Sequence, residues 1–399
     1  MLDNQARVLY VGKARRLKAR VLNYTRHSGH SSRIARMISE TVDMMVLTTE
    51  TETEALLLEQ NLIKQLKPKY NVLLRDDKSF PYIFISNEHD FPRIEKHRGA
   101  KLKKGFYYGP FASAGAVNRT INTLQKIFLL RSCSDREVEA GNRPCLNYHM
   151  KRCAGPCGGK VTKEDYAELV NSADDFLKGR STEIQEMLAA KMEKASIEME
   201  FEKAADLRDR IRALTNIQSS QGINPKSIPE ADIIGLHRDG AHACIQVFFI
   251  RGYQNWGNKD FYPRINLDNS DEEVLEAFVG QFYSNKEPPK KIISSHPVEN
   301  HDLIINFLTE KSGKKVDIII PRRGEKFDIV SSAIRNARES LGRKLEQAAT
   351  QKSLLISLGV SLNLNLIPNR VEIYDNSHIQ GSDAVGAMVV AGPEGMEKN

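Results

Sequence analysis

An acidic residue set among leucines is the first candidate for chemistry in this chain. Glu59 lies in the stretch from Glu52 to Gln65, whose apolar residues would form the buried side of a helix: Leu56, Leu57, Leu58, Leu62 and Ile63. A carboxylate beside such a surface is costly to bury unless it is paired or binds a cation. Glu59 is therefore predicted to be either a metal ligand or one half of an ion pair.

A basic segment precedes this helix. Val8 to Val11 consists of β-branched, aliphatic and aromatic residues and predicts a short buried strand, which Gly12 ends where the backbone can approach a ligand closely. Ala14 to Tyr24 predicts a helix in which Leu17 and Val21 pack inward. Five cations make this region strongly basic: Lys13, Arg15, Arg16, Lys18 and Arg20. Of these, Lys13 and Arg20 would stay accessible.

These residues resemble the signature of GIY-YIG nucleases, in the version found in the UvrC family of the bacterial UvrABC excision nuclease. The matching residues are Tyr10, Val11, Gly12, Lys13, Arg20, Tyr24, Glu59 and Asn71. The resemblance implies that Glu59 holds a divalent cation, Mg²⁺ or Mn²⁺, and that Arg20 contacts the phosphate. Tyr10 and Lys13 are candidates for assisting proton transfer. An ordinary basic α/β domain with a chance Tyr-Val-Gly is the alternative.

The chain departs from the family pattern at its start. The family has an upstream GIY or GVY strand whose tyrosine helps activate water, and this chain starts at Met1 without such a tyrosine. We expect that departure to leave the strand from Val8 to Val11 with an exposed edge and to loosen the site.

The next region is predicted to be a linking segment that packs on the nuclease domain. Phe80 to Ile85 predicts a strand, in which Pro81 indicates an edge position. The aromatic turn from Tyr107 to Phe111 could stack on unpaired bases or could form a small hydrophobic cluster. Val117 to Leu130 predicts an amphipathic helix.

Four of the five cysteines lie close together in the chain, at Cys133, Cys145, Cys153 and Cys157. Clustered cysteines in a chain without a secretion signal favour metal binding over disulfides. Tetrahedral zinc and an iron–sulfur cluster both suit four thiolates, but zinc sites usually have two tight pairs, and only Cys153 and Cys157 form one. The spacing favours a cluster, and the family resemblance implies 4Fe-4S. Zinc is the second choice, and four reduced thiols remain an alternative.

A helical region follows. Arg180 to Gln221 contains no Gly and no Pro and carries apolar residues at helical spacing. Met199 to Ile211 closely resembles the UVR motif, which in the family is an antiparallel hairpin, here about 188–221, that pairs with UvrB. The turn is expected near Glu200 and Phe201, and an internal coiled coil is the alternative. The resemblance implies these UvrB-binding residues: Phe201, Glu202, Ala205, Arg208 and Ile211.

The remaining chain has two strand-rich parts. The first predicts strands Asp232 to His237, Ala243 to Ile250 and Lys259 to Ile265, and its βββαβαβα order is that of an RNase H-like fold. Only Asp232 has a plausible catalytic position there, so we predict a catalytically silent platform. The second, from Arg370, resembles the opening strand of the active RNase H-like nuclease of UvrC, with Asp375 as the first metal-binding carboxylate.

Composition sets outer bounds on these assignments. The 399 residues suffice for roughly three domains. The net charge of +7 and a pI near 9.0 suit a polyanionic partner. No apolar run of ~18 residues predicts a membrane span, and without a signal-peptide pattern we expect a cytoplasmic protein.

The predicted fold class is therefore multidomain α/β. The predicted domains are GIY-YIG at 1–75, the linking segment at 76–130, the Cys-rich metal-cluster segment at 131–160, the helical region at 161–221, the inactive RNase H-like platform at 222–365 and the start of a second RNase H-like domain at 366–399.

The function implied by the resemblance is incision of damaged double-stranded DNA in nucleotide excision repair. UvrB would recruit the protein, with UvrA acting indirectly, and the N-terminal and C-terminal sites would make the 3′ and 5′ cuts. Because the chain ends at Asn399, before the family's later Asp and His, we expect it to cut weakly or not at all. Two alternatives are a non-catalytic fragment that binds UvrB and DNA, and a GIY-YIG nuclease that makes a single cut.

Overall fold

The structure, a computed structural model, contains two compact units, Met1–Ile334 and Arg335–Asn399, which are described separately. The residues that it describes are 1–25, 31–74, 80–141, 143–220, 225, 227–379, 382–393 and 395–397. Residues 26–30, which include His27 and His30, lie outside them. No helix of the described residues is long and apolar enough to cross a membrane.

The N-terminal module contains three helices, α1 (Leu17–Tyr24), α2 (Ser32–Glu40) and α3 (Glu52–Leu66). A capping box starts α3: Thr51 accepts a hydrogen bond from the Glu54 amide, and the Glu54 carboxylate accepts one from Thr51. Leu56 and Ile63 are buried as predicted, whereas Leu57 is exposed because it lies about 100° further round the helix than Leu56.

The prediction of a regular strand from Val8 to Val11 was wrong. Val8 forms a single antiparallel bridge with Leu2, and the following backbone is held by isolated hydrogen bonds. The Leu9 amide donates to the Met1 carbonyl at 2.9 Å, and the Tyr70 amide donates to the Leu9 carbonyl at 3.0 Å. The segment therefore has backbone neighbours on both sides, contrary to the exposed edge that we expected.

Helix α1 also differs from its prediction. It begins at Leu17 instead of Ala14, because Arg16 has a non-helical backbone. None of its residues is buried, so the inward packing predicted for Leu17 was wrong. This helix presents its cations, and its half-buried Tyr24 packs against a small core of Leu9, Met37 and Tyr70.

Residues 80–128 form a module with its own sheet, which is more than a link. Strands β1 (Pro81–Ser86), β2 (Ile94–Arg98) and β3 (Gly105–Tyr108) pair in the order β2-β1-β3, followed by α4 (Ala114–Phe128). The edge position predicted from Pro81 was wrong, since β1 is central. Proline is tolerated there because it is the first residue of the strand. Tyr108 and Phe111 are buried, so these two aromatic residues of the turn belong to a hydrophobic core.

Short helices and a long hairpin follow. The Cys-rich segment, residues 131–160, contains α5 (Asp135–Glu139), α6 (Leu146–His149) and a 3₁₀ turn at Pro156–Gly158. Helix α7 (Lys163–Leu177) leads to α8 (Ser181–Ile197) and α9 (Phe201–Ser220), which form the hairpin. Its inner side packs on α4 and α7 through buried residues that include Leu188, Ala195, Leu207 and Leu214.

The third module of the first unit is an RNase H-like platform. Strands β4 (Glu230–Asp239), β5 (His242–Arg251) and β6 (Gln254–Phe261) are antiparallel, and β7 (Lys291–Ser294) and β8 (Asp317–Ile319) continue parallel to β4 in the order β6-β5-β4-β7-β8. Helices α10 (Asp271–Ser284) and α11 (His301–Ser312) cover one face. The start of α12 (Glu325–Ser361) covers the other.

Strand β6 lies earlier than predicted. It runs from Gln254 to Phe261, whereas we predicted Lys259 to Ile265. Gly252 adopts φ +56° and reverses the chain directly after Arg251, so pairing with β5 starts at once. Pro263 has no amide hydrogen to donate to a ladder, which suits the end of the strand just before it.

The second unit contains the later part of α12 and a sheet of its own. Strands β9 (Val371–Ile379), β10 (Ser382–Gly392) and β11 (Gly395–Glu397) are antiparallel in the order β11-β10-β9. The predicted α/β class, with GIY-YIG, helical and RNase H-like parts, is confirmed.

Candidate active site

The predicted nuclease residues of the N-terminal module line one cavity of about 720 Å³. The structure brings together the following residues, although they span 62 positions of sequence: Tyr10, Lys13, Arg20, Tyr24, Glu59 and Asn71. The cavity therefore joins the loop before α1, helix α1 itself, helix α3 and the segment after α3.

Asn71 fixes the backbone of the Tyr-Val-Gly segment. Its Oδ1 accepts from the Val11 amide at 2.9 Å, and its Nδ2 donates to the Val11 carbonyl at 2.7 Å. A Cβ at Gly12 would lie 2.5 Å from the Tyr10 ring, so a larger residue there would displace that ring. Asn71 and Gly12 together hold Tyr10 and Lys13 at the mouth of the cavity.

Glu59 lies across from Lys13. Its Oε1 accepts from the Lys13 amide at 2.9 Å. Among the described residues, its Oε2 makes longer contacts, at 3.7 Å to Lys13 Nζ and 3.5 Å to Gln60 Nε2. Burial raises the pKa of the Glu59 carboxyl, although Lys13 opposes that shift. One carboxylate oxygen is thus anchored and the other is loosely held, which suits coordination of a cation.

Arg20 and the two tyrosines form a polar wall of the cavity. The Arg20 guanidinium lies 5.4 Å from the centre of the Tyr24 ring. Burial raises the pKa of Tyr10, so the phenol stays protonated at neutral pH. A protonated phenol can donate a hydrogen bond, and the guanidinium can meet a phosphate oxygen.

The platform supplies a wall that the sequence did not predict. Glu276 Oε1 lies 2.6 Å from Lys13 Nζ, and Glu276 Oε2 accepts from the amide and Nδ2 of Asn300 at 3.1 and 2.7 Å. Although burial lowers the pKa of Lys13, Glu59 and Glu276 hold it above its usual value. The 3.7 Å separation from Glu59, against 2.6 Å from Glu276, explains why Lys13 does not offset the burial of Glu59.

Two further glutamates of the platform line the same cavity. Glu273 lies 3.6 Å from Arg33, and burial raises the pKa of Glu299, with Glu276 and Glu273 adding to the effect. Sequence reasoning missed these residues because they lie more than 200 positions from Glu59. The available signal was Glu276 itself, a charged residue on the side of α10 that packs inward.

The described residues contain no group of three or more His, Cys, Asp or Glu arranged to hold a metal ion. Glu59 nevertheless fits Mg²⁺ in its chemistry, because that ion keeps most of its waters and often takes one or two carboxylates. The loosely held Oε2 is the atom that would contact it.

The four cysteines of the Cys-rich segment are close enough for their charges to interact, although no three of them are arranged to hold a metal ion in this structure. Cys153 is buried, and the Gly155 amide donates to its Sγ at 3.4 Å. Burial raises the pKa of the Cys153 thiol to about 11, and the charges of the other three thiols add to that shift. All four thiols are free, with Cys145 exposed and with Cys133 and Cys157 half-buried. A soft metal would supply the positive charge that four such thiolates need.

The hairpin exposes an apolar tip. Ile197 and Met199 are each 76% exposed and Phe201 is 67% exposed. Among the other residues predicted to bind UvrB, Glu202 and Arg208 are exposed, whereas Ala205 and Ile211 are half-buried. The hairpin buries its inner side within the chain, so the need for a partner applies to its tip.

The two acidic residues of the RNase H-like parts differ in their surroundings. Asp232 is buried, with Arg251 Nη2 at 2.8 Å and the Tyr283 hydroxyl donating at 2.6 Å. The ion pair with Arg251 and the hydrogen bond from Tyr283 compensate the charge of this buried carboxylate, which suits a silent platform. Asp375 is exposed on β9, opposite Ala387 of β10.

Comparison with known families follows the same division of the chain. Matching models are the UvrC-like GIY-YIG domain at 1–72, the UvrC/Cho excinuclease middle domain at 80–176, the UvrB/uvrC motif at 182–217, the UvrC Ribonuclease H-like domain at 230–344 and the UvrC RNAse H endonuclease domain at 360–399.

The similar proteins compared with this chain share the name "UvrABC system protein C". The relatives from Ruegeria pomeroyi, Cereibacter sphaeroides and a Jannaschia species are 63%, 61% and 64% identical over all 399 residues. The chain spans 64%, 64% and 63% of the lengths of these curated relatives.

Fold and site together define a multidomain protein built on a GIY-YIG module and RNase H-like modules. Within that class, the chain belongs to the UvrC family. The resemblance inferred from the sequence is therefore confirmed.

Proposed function

We propose that this chain is the nuclease component of an excision-repair system and cuts damaged double-stranded DNA with a divalent metal ion. The observation that carries the proposal is the convergence of Tyr10, Lys13, Arg20 and Glu59 on one cavity. The names of the relatives, UvrABC system protein C, support the same reaction class.

Each residue has a role that its geometry supports. Glu59 would hold Mg²⁺ or Mn²⁺ through Oε2, and the ion would supply Lewis-acid stabilisation of the phosphate. Arg20 would contact the phosphate as negative charge develops there. Tyr10 is held protonated and could donate to an oxygen, and Lys13 supplies a second cation. Asn71 acts through the Val11 backbone and is a positioning residue.

The other modules have proposed roles as well. The exposed tip around Phe201 would bind UvrB, which would recruit the protein to DNA with UvrA acting indirectly. Cys133, Cys145, Cys153 and Cys157 would bind a 4Fe-4S cluster, with zinc as the second choice. Asp375 would belong to a second nuclease site that makes the 5′ cut, while the Glu59 site makes the 3′ cut. We propose a cytoplasmic location.

An incision assay tests the main proposal. A lesion-containing duplex labelled at both ends would be incubated with UvrA, UvrB, Mg²⁺ and either this chain or a version extended to the length of its relatives. Glu59→Gln should remove the 3′ cut and spare DNA binding, whereas Glu310→Gln, at an exposed glutamate of α11, should cut normally. Equal 3′ cutting by both variants would show that Glu59 holds no essential metal.

The same assay addresses the two alternative functions. A chain that binds UvrB and DNA but gives no cut would be a non-catalytic adaptor. A chain that cuts only on the 3′ side, even when extended, would be a single-cut nuclease. The exposed apolar tip favours partner binding in every case.

Metal analysis of anaerobically purified protein tests the proposed 4Fe-4S cluster, since stoichiometric zinc without iron would contradict it.

A further inference from the structure

A second cavity, of about 1050 Å³, lies between the Cys-rich segment and the hairpin. We call it the hairpin groove. Its lining is basic, with seven lysine or arginine residues against three aspartate or glutamate residues. Three acidic residues leave a clear excess of positive charge, which attracts a polyanion.

Arg210 is the most informative residue of the hairpin groove. Its guanidinium is half-buried against α4, where Nε donates to the Ile127 carbonyl. No carboxylate of the described residues lies within ion-pair distance of Arg210, and Asp206 on the same helix is paired with Lys151 at 2.6 Å. Burial lowers the pKa of Arg210, which reflects a cation short of negative charge. A bound anion would supply that charge.

Two lysines of the hairpin groove, like Arg210, have no ion-pair partner among the described residues. Lys126 follows Gln125 on α4, next to the residue whose carbonyl holds Arg210, and Lys160 ends the Cys-rich segment. Other groove lysines do have an ion-pair partner, such as Lys191 with Glu168 at 3.4 Å and Lys203 with Glu200 at 2.9 Å.

An aromatic side chain lies beside these cations. The Tyr148 ring packs against Gly155, where an added Cβ would lie 2.6 Å from the ring. His149 is exposed next to it, with the two ring centres 5.5 Å apart. Cations that track a phosphate backbone together with a rigid aromatic ring are the combination that binds single-stranded nucleic acid.

We propose that the hairpin groove binds a single strand of DNA, with phosphates at Arg210, Lys126 and Lys160 and a base against Tyr148. This site rests on the proposed function of the chain as a DNA-binding nuclease. It is separate from the apolar tip, because Phe201 is exposed at the start of α9 whereas Arg210 packs on α4.

The test measures binding of a labelled oligothymidine by fluorescence anisotropy over a series of salt concentrations. The variant Lys126→Gln with Lys160→Gln should bind about ten-fold more weakly at low salt, and each lost phosphate contact should reduce the salt slope by about 1. The control, Lys96→Gln with Lys290→Gln, changes two exposed lysines outside the groove and should match the unmodified protein.

A second pair of variants guards against misfolding. Arg210→Gln should weaken binding and Arg210→Lys should restore most of it, because Lys keeps the charge. Both variants lose the hydrogen bond to the Ile127 carbonyl, so equal melting temperatures of the two would show that the difference in binding does not come from folding. Iododeoxyuridine placed in the oligonucleotide should crosslink to Tyr148.

Several outcomes would contradict the proposal that the hairpin groove binds single-stranded DNA. Unchanged affinity and slope in the Lys126 and Lys160 variant, in a protein that still cuts lesion DNA, would reject the groove and leave the proposed function intact. Weaker binding to UvrB with unchanged DNA binding would show that the cations meet an acidic protein surface instead. Failure of the unmodified protein to bind any DNA would reject both proposals.

Discussion

At the scale of single residues, Asn71 contributes through the backbone that it holds. Both of its side-chain polar atoms bond to Val11, and its side chain is buried. The family resemblance identified Asn71 as a site residue. Its hydrogen bonds to the Val11 backbone, which make it a clamp on that segment, could not be predicted because Val11 lies 60 positions away.

Asn71→Ala should destabilise the protein by about 1–3 kcal/mol, because the amide and carbonyl of Val11 lose their partners in a half-buried position. The measurement is the free energy of unfolding in urea. Asn61→Ala, at an exposed asparagine of α3, is the matched control and should change it by less than about 0.5 kcal/mol. Equal effects of the two substitutions would contradict the clamp.

Glu59 leads to a prediction about pH. Burial raises its pKa in the folded protein above that in the unfolded chain. As pH rises, the unfolded chain therefore releases this proton first, so the free energy of unfolding falls from the ordinary glutamate range up to the raised folded pKa. Glu59→Gln should lack that fall.

Urea unfolding over a pH series without divalent ions measures this effect. Glu310→Gln should follow the unmodified protein, because Glu310 is exposed. If Glu59→Gln and the unmodified protein gave parallel curves throughout, Glu59 would not be destabilised by burial. With Mn²⁺ present, metal binding should weaken on acidification at a higher pH than for an exposed glutamate, since the metal needs the ionised carboxylate.

At the scale of elements, the hairpin divides its apolar residues between two tasks. Leu207 faces the core shared with α4 and α7, whereas Phe201 is exposed at the turn. Helical periodicity predicts both residues as apolar positions of one helix. Only the packing against α4 and α7 separates the inner side from the tip.

Phe201→Ala should weaken the complex with UvrB by about 2 kcal/mol or more, as expected of an aromatic anchor. It should leave stability nearly unchanged because the ring makes few contacts within the chain. Leu207→Ala should do the reverse, with a loss of about 2–5 kcal/mol of stability. Calorimetric titration measures the affinity of both variants for UvrB, and urea unfolding measures their stability. A Phe201→Ala variant with full affinity would point to another binding surface.

The strands show where sequence patterns reach their limit. The pattern predicted the order of elements in the platform, since alternation and turn residues are local signals. It placed β6 too late and put β1 at an edge, because pairing depends on partners elsewhere in the chain. The segment from Val8 to Val11 has strand-like residues but is held by isolated hydrogen bonds to Met1, Tyr70 and Asn71.

At the scale of the whole molecule, the first unit assembles its candidate active site from two modules. Gln281 Oε1 on α10 accepts a hydrogen bond from the Leu74 amide at 2.8 Å, and its Nε2 donates to the Val72 carbonyl at 2.9 Å. Lys13 meets Glu276, and Arg33 meets Glu273. Local sequence signals could not have placed the platform beside the nuclease module, since these pairs join distant parts of the chain.

Gln281→Ala should loosen the attachment of the segment after α3 to the platform. The Leu74 amide loses its acceptor, so its hydrogen exchange should speed up measurably, while amides in the centre of β5 stay protected. Gln65→Ala, at an exposed glutamine of α3, is the control. Unchanged exchange at Leu74 would mean that the segment is held by other contacts, such as the Leu73 bridge to Arg264.

The Lys13 contact with Glu276 has a consequence for synthesis on the ribosome. The two residues are 263 positions apart. At about 5–20 residues per second, the ribosome needs roughly 13–53 s to reach Glu276 after Lys13. Glu59 follows Lys13 by only 46 residues. From then until Glu276 has been made, the nascent nuclease module has Glu59 as an acidic neighbour of Lys13 but lacks the opposite wall of its cavity. Timing of translation thus sets the order in which the two walls of the site appear.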